Sequence, residues 1–347
     1  MLVAKRFSLR PDKLVLYNEV TPTSKTINNI NELEIIPSIK IDTNIKEKFK
    51  PTVSRKFHQF KISDNAYRNL KEKINWLYYL SKTRYKQTYS KKHIYTFRLS
   101  FLTLTLPSIQ KHSTSFITKN IFNQFLTEIR TRCKMENYVW RLEFQKNGNV
   151  HYHLISDSYI DYFMCLTVWN RIINKYGYVD DYQKRFKGKT LYQYNQMTNK
   201  FNKTDFEIIK NRYTKGLKMN WLNPNSVDVK SVTNKKAIAN YISKYFSKNP
   251  IGNSICNKLD TEENSSSLRL WFCSRTLSKL KSISDYVENY KYDIEYFLSK
   301  CSEIKYVYHQ YVTIIYFKIK DYKNRFSKLI DLVLRNYAKE IGYKSAY

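Results

Sequence analysis

Cysteine is scarce in this sequence and follows no metal-binding spacing. The five cysteines are scattered, and no two of them form a CxxC pair. A zinc ribbon, which needs paired cysteines, is therefore excluded. A scattered, unpaired set of thiols is typical of a reducing compartment rather than of a disulfide framework. We therefore expect reduced cysteines and a cytoplasmic protein.

Long hydrophobic runs are also missing. The longest apolar stretches, such as Tyr311 to Phe317, are far shorter than the roughly 20 residues that span a bilayer. Lys5 and Arg6 stand near the N-terminus, but no apolar segment follows them, which argues against a signal peptide. No repeat is visible, and no Ser/His/Asp order indicates a hydrolase triad. We expect no membrane partner.

A complete nucleoside-triphosphate-binding motif is absent as well. Gly188-Lys189-Thr190 resembles the end of a Walker motif, but Gln183 stands where the first glycine belongs. The phosphate-cradling loop needs that glycine. We therefore expect no helicase domain in this chain.

Acidic residues are few relative to basic ones. The 347 residues include 61 Lys and Arg against 29 Asp and Glu, a net charge of +32, which points to a polyanionic partner. Aromatic residues make up 16% of the chain, with 31 tyrosines. Rings interleaved with cations suit single-stranded nucleic acid, whose phosphates meet Lys and Arg while its bases stack. Part of this excess follows the coding bias of an AT-rich genome.

Hydrophobic periodicity predicts an α+β protein with a mostly antiparallel central sheet flanked by helices. Residues 1–60 are predicted to be an N-terminal arm, partly disordered or strand-like. Residues 61–284 form the main domain, with a polar surface insertion at 180–225, and residues 285–347 form a C-terminal α/β extension. The predicted helices cover 64–82, 117–133, 159–176, 235–248, 276–283 and 321–340, and the predicted strands cover 98–106, 138–145, 150–155, 227–232, 268–274 and 306–319.

The stretch from Arg141 to His153 carries the first candidate site. His151 and His153 are two residues apart, so a strand places both imidazoles on one face. Glu143 lies eight residues before His151. Two imidazoles and one carboxylate can hold a divalent cation. The alternative is a strand with two histidines in or near the core.

The loop of this hairpin decides whether Glu143 can join the histidines. Asn147-Gly148 is a turn signal. A two-residue turn there would pair Glu143 with Tyr152 and direct the carboxylate away from both imidazoles. Ligation therefore predicts an odd-length loop or a bulge, such as a three-residue loop with glycine in the left-handed conformation.

A tyrosine-bearing helix is the second candidate element. Tyr241, Lys244, Tyr245 and Lys248 share one helical face. A phenol is a poor nucleophile at its usual pKa of about 10, but nearby ammonium groups favour the phenolate. Attack on a phosphate would give a covalent phosphotyrosine. In a chain rich in Tyr and Lys such a pattern also arises by chance, and Tyr79-Leu-Ser-Lys82 is a similar one.

The strand from Phe101 to Leu106 is the third element. It holds no acid–base residue, so its main role is that of a core strand. Thr103 and Thr105 share a face and can contact a nucleotide.

The order of these elements resembles the three-motif arrangement of HUH endonucleases, and most closely the paired-tyrosine replication initiators (Rep) of single-stranded DNA phages. The resemblance covers about 64–280. The matching pieces are, in chain order, Phe101–Thr105, Glu143 with His151 and His153, Tyr241 with Lys244 and Tyr245, and Leu268–Arg275.

The resemblance implies a metal-dependent nickase and strand transferase that starts rolling-circle replication. Glu143, His151 and His153 would hold Mg²⁺ or Mn²⁺, although imidazoles also suit zinc. Tyr241 would attack, take the 5′-phosphate and free a 3′-OH for a polymerase. Tyr245 is the candidate second nucleophile, and Lys244 and the metal would stabilise charge at the phosphate.

The resemblance also implies the partners: single-stranded DNA with an origin hairpin, a host helicase and a DNA polymerase, in a bacterial cytoplasm if the chain is phage- or plasmid-encoded. The candidate DNA-contacting residues are Thr103, Thr105, Lys235, Lys236 and Lys248. Two alternatives stay open. One is a relaxase or transposase with the same chemistry, in which Tyr79 would be the nucleophile. The other is a non-catalytic nucleic-acid-binding protein.

Overall fold

The computed structural model describes most of the chain in several stretches. They are 2–21, 62–87, 94–145, 147–199, 204–233, 268–286, 289, 294, 296, 298–299, 304–310, 312–317 and 325–344. The predicted helix 235–248 and the predicted loop 252–267 lie outside these residues. The chain divides into a split unit, Met1–His58 with Arg275–Lys344, and a central unit, Gln59–Ser274 with Ser345–Tyr347.

The secondary-structure elements are numbered along the described residues. The strands are β1 Leu2–Arg10, β2 Lys13–Thr21, β3 Arg84–Gln87, β4 Ile94–Phe97, β5 Leu99–Thr105, β6 Tyr138–Phe144, β7 Val150–Ser156, β8 Val227–Val232, β9 Trp271–Cys273, β10 Ile283–Tyr286, β11 Ile304–Tyr308 and β12 Val312–Phe317. The helices are α1 Asp64–Leu80, α2 (Thr114–Phe116, the π-helical Ile117–Phe122 and Asn123–Arg132), α3 Tyr162–Asn174, α4 Tyr178–Phe186, α5 Leu191–Asn199, α6 Phe206–Lys218, α7 Arg275–Lys279 and α8 Arg325–Glu340. None of these described helices is long and apolar enough to cross a bilayer.

The central unit is built on an antiparallel sheet with strand order β8-β5-β7-β6-β9. Alternate residues along the strands, such as Leu102, Leu142 and Leu154, bury one face of the sheet against α2 and α3. Helices packed on an antiparallel sheet agree with the predicted α+β class. The strands predicted at 98–106, 138–145, 150–155 and 227–232 are all present.

Two helices of the central unit begin at predicted or recognisable caps. Ser63 caps α1 by accepting a hydrogen bond from the Ala66 N–H. Asp161 caps α3 by accepting one from the Met164 N–H, 2.8 Å away, so this helix begins later than the predicted position 159. Gly177, at φ +75°, follows α3. Its left-handed backbone is the usual stop signal of a helix.

Helix α1 covers part of the other face of the central sheet. Its apolar stripe, which includes Leu70, Ile74 and Leu77, is fully buried, and the helix packs against β6 and β9. Tyr67 on α1 interacts electrostatically with Arg141 on β6. The predicted amphipathic helix over 64–82 therefore packs on the sheet, as its periodicity indicated.

The predicted polar insertion at 180–225 consists mainly of helices with a core of their own. Phe186, Tyr194, Ile209 and Trp221 are buried together between α4, α5 and α6. Gly216 has no room for a side chain, because a Cβ there would lie 2.3 Å from the Trp221 ring. Each of these short helices buries only a few residues, and such a weak signal gives little periodicity in the sequence.

The Walker-like tripeptide lies at the start of α5. The Gln193 N–H donates to Thr190 Oγ1 (3.3 Å), and the Thr190 N–H donates to Gln193 Oε1 (3.0 Å). This reciprocal pair is a capping box. Gly188-Lys189-Thr190 therefore leads into a helix cap.

The split unit joins both ends of the sequence in one antiparallel sheet, with strand order β10-β1-β2-β12-β11. Residues 1–60 were predicted to be an arm separate from 285–347, but β2 pairs with β12 and β1 pairs with β10. The predicted strand over 306–319 is a hairpin of β11 and β12, which turns at His309. Helix α7 ends at Lys279 and is followed by β10, where a longer helix was predicted.

Candidate functional site

The β6–β7 hairpin brings Glu143 and both histidines to one face. Its register pairs Glu143 with His151 and Arg141 with His153. Residues that oppose each other across antiparallel strands share a face, as do residues two apart on a strand. The four side chains therefore lie together on the sheet face opposite the α2–α3 core.

The loop that sets this register has an odd number of residues. Five residues, 145–149, separate β6 from β7. The Gln145 N–H donates to the Asn149 carbonyl (2.8 Å), and the Gly148 N–H donates to the Gln145 carbonyl (2.9 Å). Gly148 has φ +83°, a conformation that glycine adopts without strain. The prediction of an odd loop with a left-handed glycine is confirmed.

Glu143 lies between an imidazole and a guanidinium. Its Oε2 is 3.4 Å from His153 Nε2, and its Oε1 is 3.4 Å from an Arg141 terminal nitrogen. The side chains of Arg141 and His153 are only 10% and 6% exposed. Burial lowers the pKa of Arg141, and the neighbouring Glu143 partly opposes that shift. Because arginine stays protonated in proteins, a buried positive charge adjoins the carboxylate.

Each histidine is oriented through its Nδ1 atom. His153 Nδ1 is 3.1 Å from Thr103 Oγ1, and the His153 ring stacks on Phe101 with centroids 5.4 Å apart. His151 Nδ1 is 2.9 Å from the Gln145 side-chain amide. A histidine that donates its Nδ1–H to an oxygen carries its lone pair on Nε2. In His153, that atom is the one nearest Glu143.

The two threonines predicted to contact DNA have different surroundings. Thr103 lies between His153 and Asp228 in the register of the sheet. Thr105 Oγ1 donates instead to the Ser226 carbonyl, 3.1 Å away. The face around Thr103 is polar, because Asp228 itself pairs with Lys230 at 2.7 Å.

The described residues contain no group of three or more His, Cys, Asp or Glu side chains arranged to hold a metal ion. Of the three predicted ligands, Glu143 and His153 have donor atoms near each other. The ring of His151 lies beside that of His153, with centroids 4.5 Å apart.

The predicted nucleophiles lie outside the described residues. These are Tyr241 and Tyr245 with Lys244, and the same holds for the predicted DNA contacts Lys235, Lys236 and Lys248. The alternative nucleophile, Tyr79, is half-buried on α1, with its ring edge-on to Trp76 at 6.2 Å.

Three residues of the site were missed from the sequence. Arg141 and Gln145 stand two residues before and after Glu143, so the same alternation that aligned Glu143 with the histidines indicated them. An arginine on a strand is usually exposed, which concealed its role. Phe101 was assigned only to the core, although its ring contacts His153.

Comparison with known proteins adds a family to this geometry. Residues 99–250 match the replication-associated protein ORF2 family, and this stretch is somewhat less than half of the chain. The matched stretch begins with β5, includes the β6–β7 hairpin and extends past the tyrosine motif. No curated protein and no solved structure matches the chain. Over residues 99–250 the chain is thus similar to replication-associated proteins, which supports a replication initiator of the Rep type.

Proposed function

We propose that this chain nicks single-stranded origin DNA through a 5′-phosphotyrosine and so initiates rolling-circle replication. One observation carries the proposal. The hairpin register sets Glu143 opposite His151 and 3.4 Å from His153, inside the stretch that matches replication-associated proteins. A hairpin of purely structural histidines has no need of a carboxylate at that position.

The donors fit a divalent cation in chemical kind. Two imidazoles and a carboxylate suit Mn²⁺, Mg²⁺ or zinc, and a phosphate oxygen as a further ligand favours the harder ions. Two donors on one such ion stand roughly 3 Å apart, close to the 3.4 Å between Glu143 Oε2 and His153 Nε2. Glu143, His151 and His153 would hold the ion. When bound, it would polarise the scissile phosphate.

The neighbouring side chains would prepare these donors. Thr103 would accept the Nδ1–H of His153, and Gln145 would do the same for His151 through its amide oxygen, so that each Nε2 carries the lone pair. Arg141 would keep the Glu143 carboxylate ionised and oriented. A buried guanidinium also adds positive potential where a phosphate would lie.

The tyrosine motif would supply the nucleophile. The phenolate oxygen of Tyr241 would attack the scissile phosphorus, and the bond to the 3′-oxygen would break. The 5′-phosphate would then be bound to the tyrosine, and the leaving oxygen would take a proton to become a 3′-OH. Lys244 would stabilise the phenolate and the phosphate charge. Tyr245 would later attack the regenerated origin, which allows strand transfer.

The free 3′-OH implies a DNA polymerase, and unwinding of the remaining duplex implies a separate host helicase. The net charge of +32 suits the single strand and its hairpin. For a phage- or plasmid-encoded chain these partners lie in the bacterial cytoplasm.

A nicking assay tests the proposal. Single-stranded oligonucleotides tiled across the genetic element that encodes the chain are incubated with the full-length protein in Mg²⁺, in Mn²⁺ or in EDTA. We expect cleavage of one oligonucleotide with either metal and none in EDTA. His153→Ala should not cleave, whereas His309→Ala, an exposed histidine of the split unit, should cleave normally. Binding without cleavage in every metal would contradict the proposal and favour a non-catalytic binding protein.

A further inference from the structure

The outer side of α2 carries an uninterrupted polar stripe. Its amides and hydroxyls recur three or four residues apart, the spacing that aligns side chains on one helical face. Together with Lys119, Glu128 and Arg132 they line a cavity of about 710 Å³. The stripe consists of Asn120, Asn123, Gln124, Thr127 and Thr131.

Positive charges flank this stripe on one side. A neighbouring cavity of about 550 Å³ shares Lys119 with the first and adds Arg130 and Arg269. Both guanidinium groups stand over aromatic rings, Arg130 at 5.7 Å from the Tyr138 centroid and Arg269 at 4.9 Å from that of Phe272. Cation–π contacts of this kind hold the cations in place and leave their N–H groups available.

The other flank is positive as well, although it contains an acid. Arg132 lies 2.8 Å from Glu128, and Arg171 of α3 also pairs with it. Burial raises the pKa of Glu128, but the hydrogen bonds from Arg171 and Arg132 outweigh this and lower it. Two arginines therefore surround one carboxylate.

The stripe offers groups that can read a nucleic acid. Within the described residues, the side-chain amides of Asn123 and Gln124 have no hydrogen-bond partner. The hydroxyls of Thr127 and Thr131 donate back to helix carbonyls at 2.9 and 3.2 Å. The opposite side of the helix is anchored, since Ile121, Phe125 and Ile129 are fully buried.

We infer that α2 reads double-stranded DNA in the major groove. That groove admits an α-helix, asparagine and glutamine pair with adenine, and threonine contacts thymine. Flanking cations meet the phosphates on either side. A-form RNA has a major groove too narrow for such a helix. The inference rests on the proposed function only for its meaning, which is recognition of the origin as a duplex before nicking.

The position of α2 suits such a division of work. The helix packs on the Leu102 and Leu142 face of the central sheet, whereas Glu143 and His153 lie on the opposite face. A duplex bound along α2 leaves the Glu143 face open to a single strand. The π-helical turn at Ile117–Phe122, which contains Lys119 and Asn120, is a feature often found at functional sites.

Selection from a random duplex tests the inference. The full-length protein is given double-stranded DNA with a randomised centre, at physiological salt and without metal. We expect one sequence to be enriched. Asn123→Ala with Gln124→Ala should bind that sequence about tenfold more weakly or worse. Lys119→Ala with Arg130→Ala should weaken binding to all duplexes and reduce the salt slope by about two.

A matched control separates reading from general charge. Gln196→Ala with Asn211→Ala removes an exposed glutamine and an exposed asparagine from α5 and α6, and should leave the enrichment unchanged. Thermal melting verifies that each variant folds, and Asn123→Asp provides a second, isosteric substitution that should also lose the enriched sequence.

Two results would overturn the inference. One is enrichment of the same sequence, at the same affinity, by the Asn123/Gln124 variant. The other is enrichment by the wild type from a single-stranded pool only. Nicking of single-stranded oligonucleotides is measured in parallel. A wild type that reads a duplex but never nicks would contradict the proposed function and leave the inference standing.

Discussion

The two faces of the central sheet alternate along the same strands and perform different tasks. On one face, Leu102, Leu142, Tyr152 and Leu154 are at most 2% exposed, under α2 and α3. On the other face, the residues next to them in sequence carry a carboxylate, two imidazoles and a hydroxyl. The difference shows that a shift of one residue along a strand separates stability from candidate chemistry.

The polar face is nevertheless far from open. His153 and Arg141 are 5% and 8% exposed, so their polar groups need partners to offset the cost of burial. Glu143 and Thr103 supply those partners. The odd-length loop at 145–149 is what keeps the two faces apart, because a two-residue turn would exchange them.

The largest expected effect concerns the polar face. His153→Ala should reduce nicking by about a thousandfold or more, the loss of several kcal/mol of charge stabilisation at the phosphate. Binding to single-stranded DNA should remain, because Lys and Arg contacts supply most of the affinity. Single-turnover cleavage and fluorescence anisotropy measure the two quantities. A variant that cleaves at the wild-type rate in Mg²⁺ would refute the metal assignment.

The neighbouring residue on the packed face should behave in the opposite way. Leu154→Ala leaves a cavity under α2 and α3 and should lower the free energy of unfolding by about 2–5 kcal/mol. The nicking rate of the folded fraction should change little. Urea unfolding and single-turnover cleavage at low temperature separate these effects. If Leu154→Ala abolished cleavage while fully folded, the two faces would not be independent.

A smaller effect is expected from the hydroxyl that orients His153. Thr103→Val keeps the shape but removes the hydrogen bond to Nδ1, and should weaken Mn²⁺ binding by about 10- to 100-fold. Thr103→Ser should restore it. Isothermal titration with Mn²⁺ reports the affinity without any cleavage. Equal Mn²⁺ affinity in the wild type and Thr103→Val would show that Thr103 does not position the histidine.

The smallest effect is predicted two residues further along the same strand. Thr105 donates to the Ser226 carbonyl instead of an imidazole. Thr105→Val should therefore cost about 1 kcal/mol of stability and leave Mn²⁺ affinity unchanged. Thermal unfolding and the same titration measure both. A loss of affinity as large as that of Thr103→Val would remove the distinction between the two threonines.

The sequence predicted the hairpin well because its information is local. The spacing from Glu143 to His151, the Asn147-Gly148 signal and strand alternation together determine the register. The split unit was not predicted, because pairing of β2 with β12 joins residues almost 300 apart and local patterns do not report such pairing. The core of the insertion was hidden for a different reason. Its buried residues, such as Tyr194 and Trp221, are spread over short helices.

The site was predicted in part for similar reasons. Glu143 and the histidines were named because carboxylates and imidazoles are recognised metal ligands. Arg141 and Gln145 share their face and contact them, yet neither type of residue signals a metal site by itself. Their roles depend on distances of 2.9–3.4 Å, which only folding defines.

The most direct test of the central claim is to identify the atom that becomes bonded to DNA. The full-length protein is incubated with Mn²⁺ and the oligonucleotide that it cleaves, digested, and analysed by mass spectrometry. The account predicts a 5′-phosphate on Tyr241, lost in Tyr241→Phe, with Tyr245 able to carry the strand during transfer. An adduct on Tyr79, or cleavage with no covalent adduct at all, would contradict it.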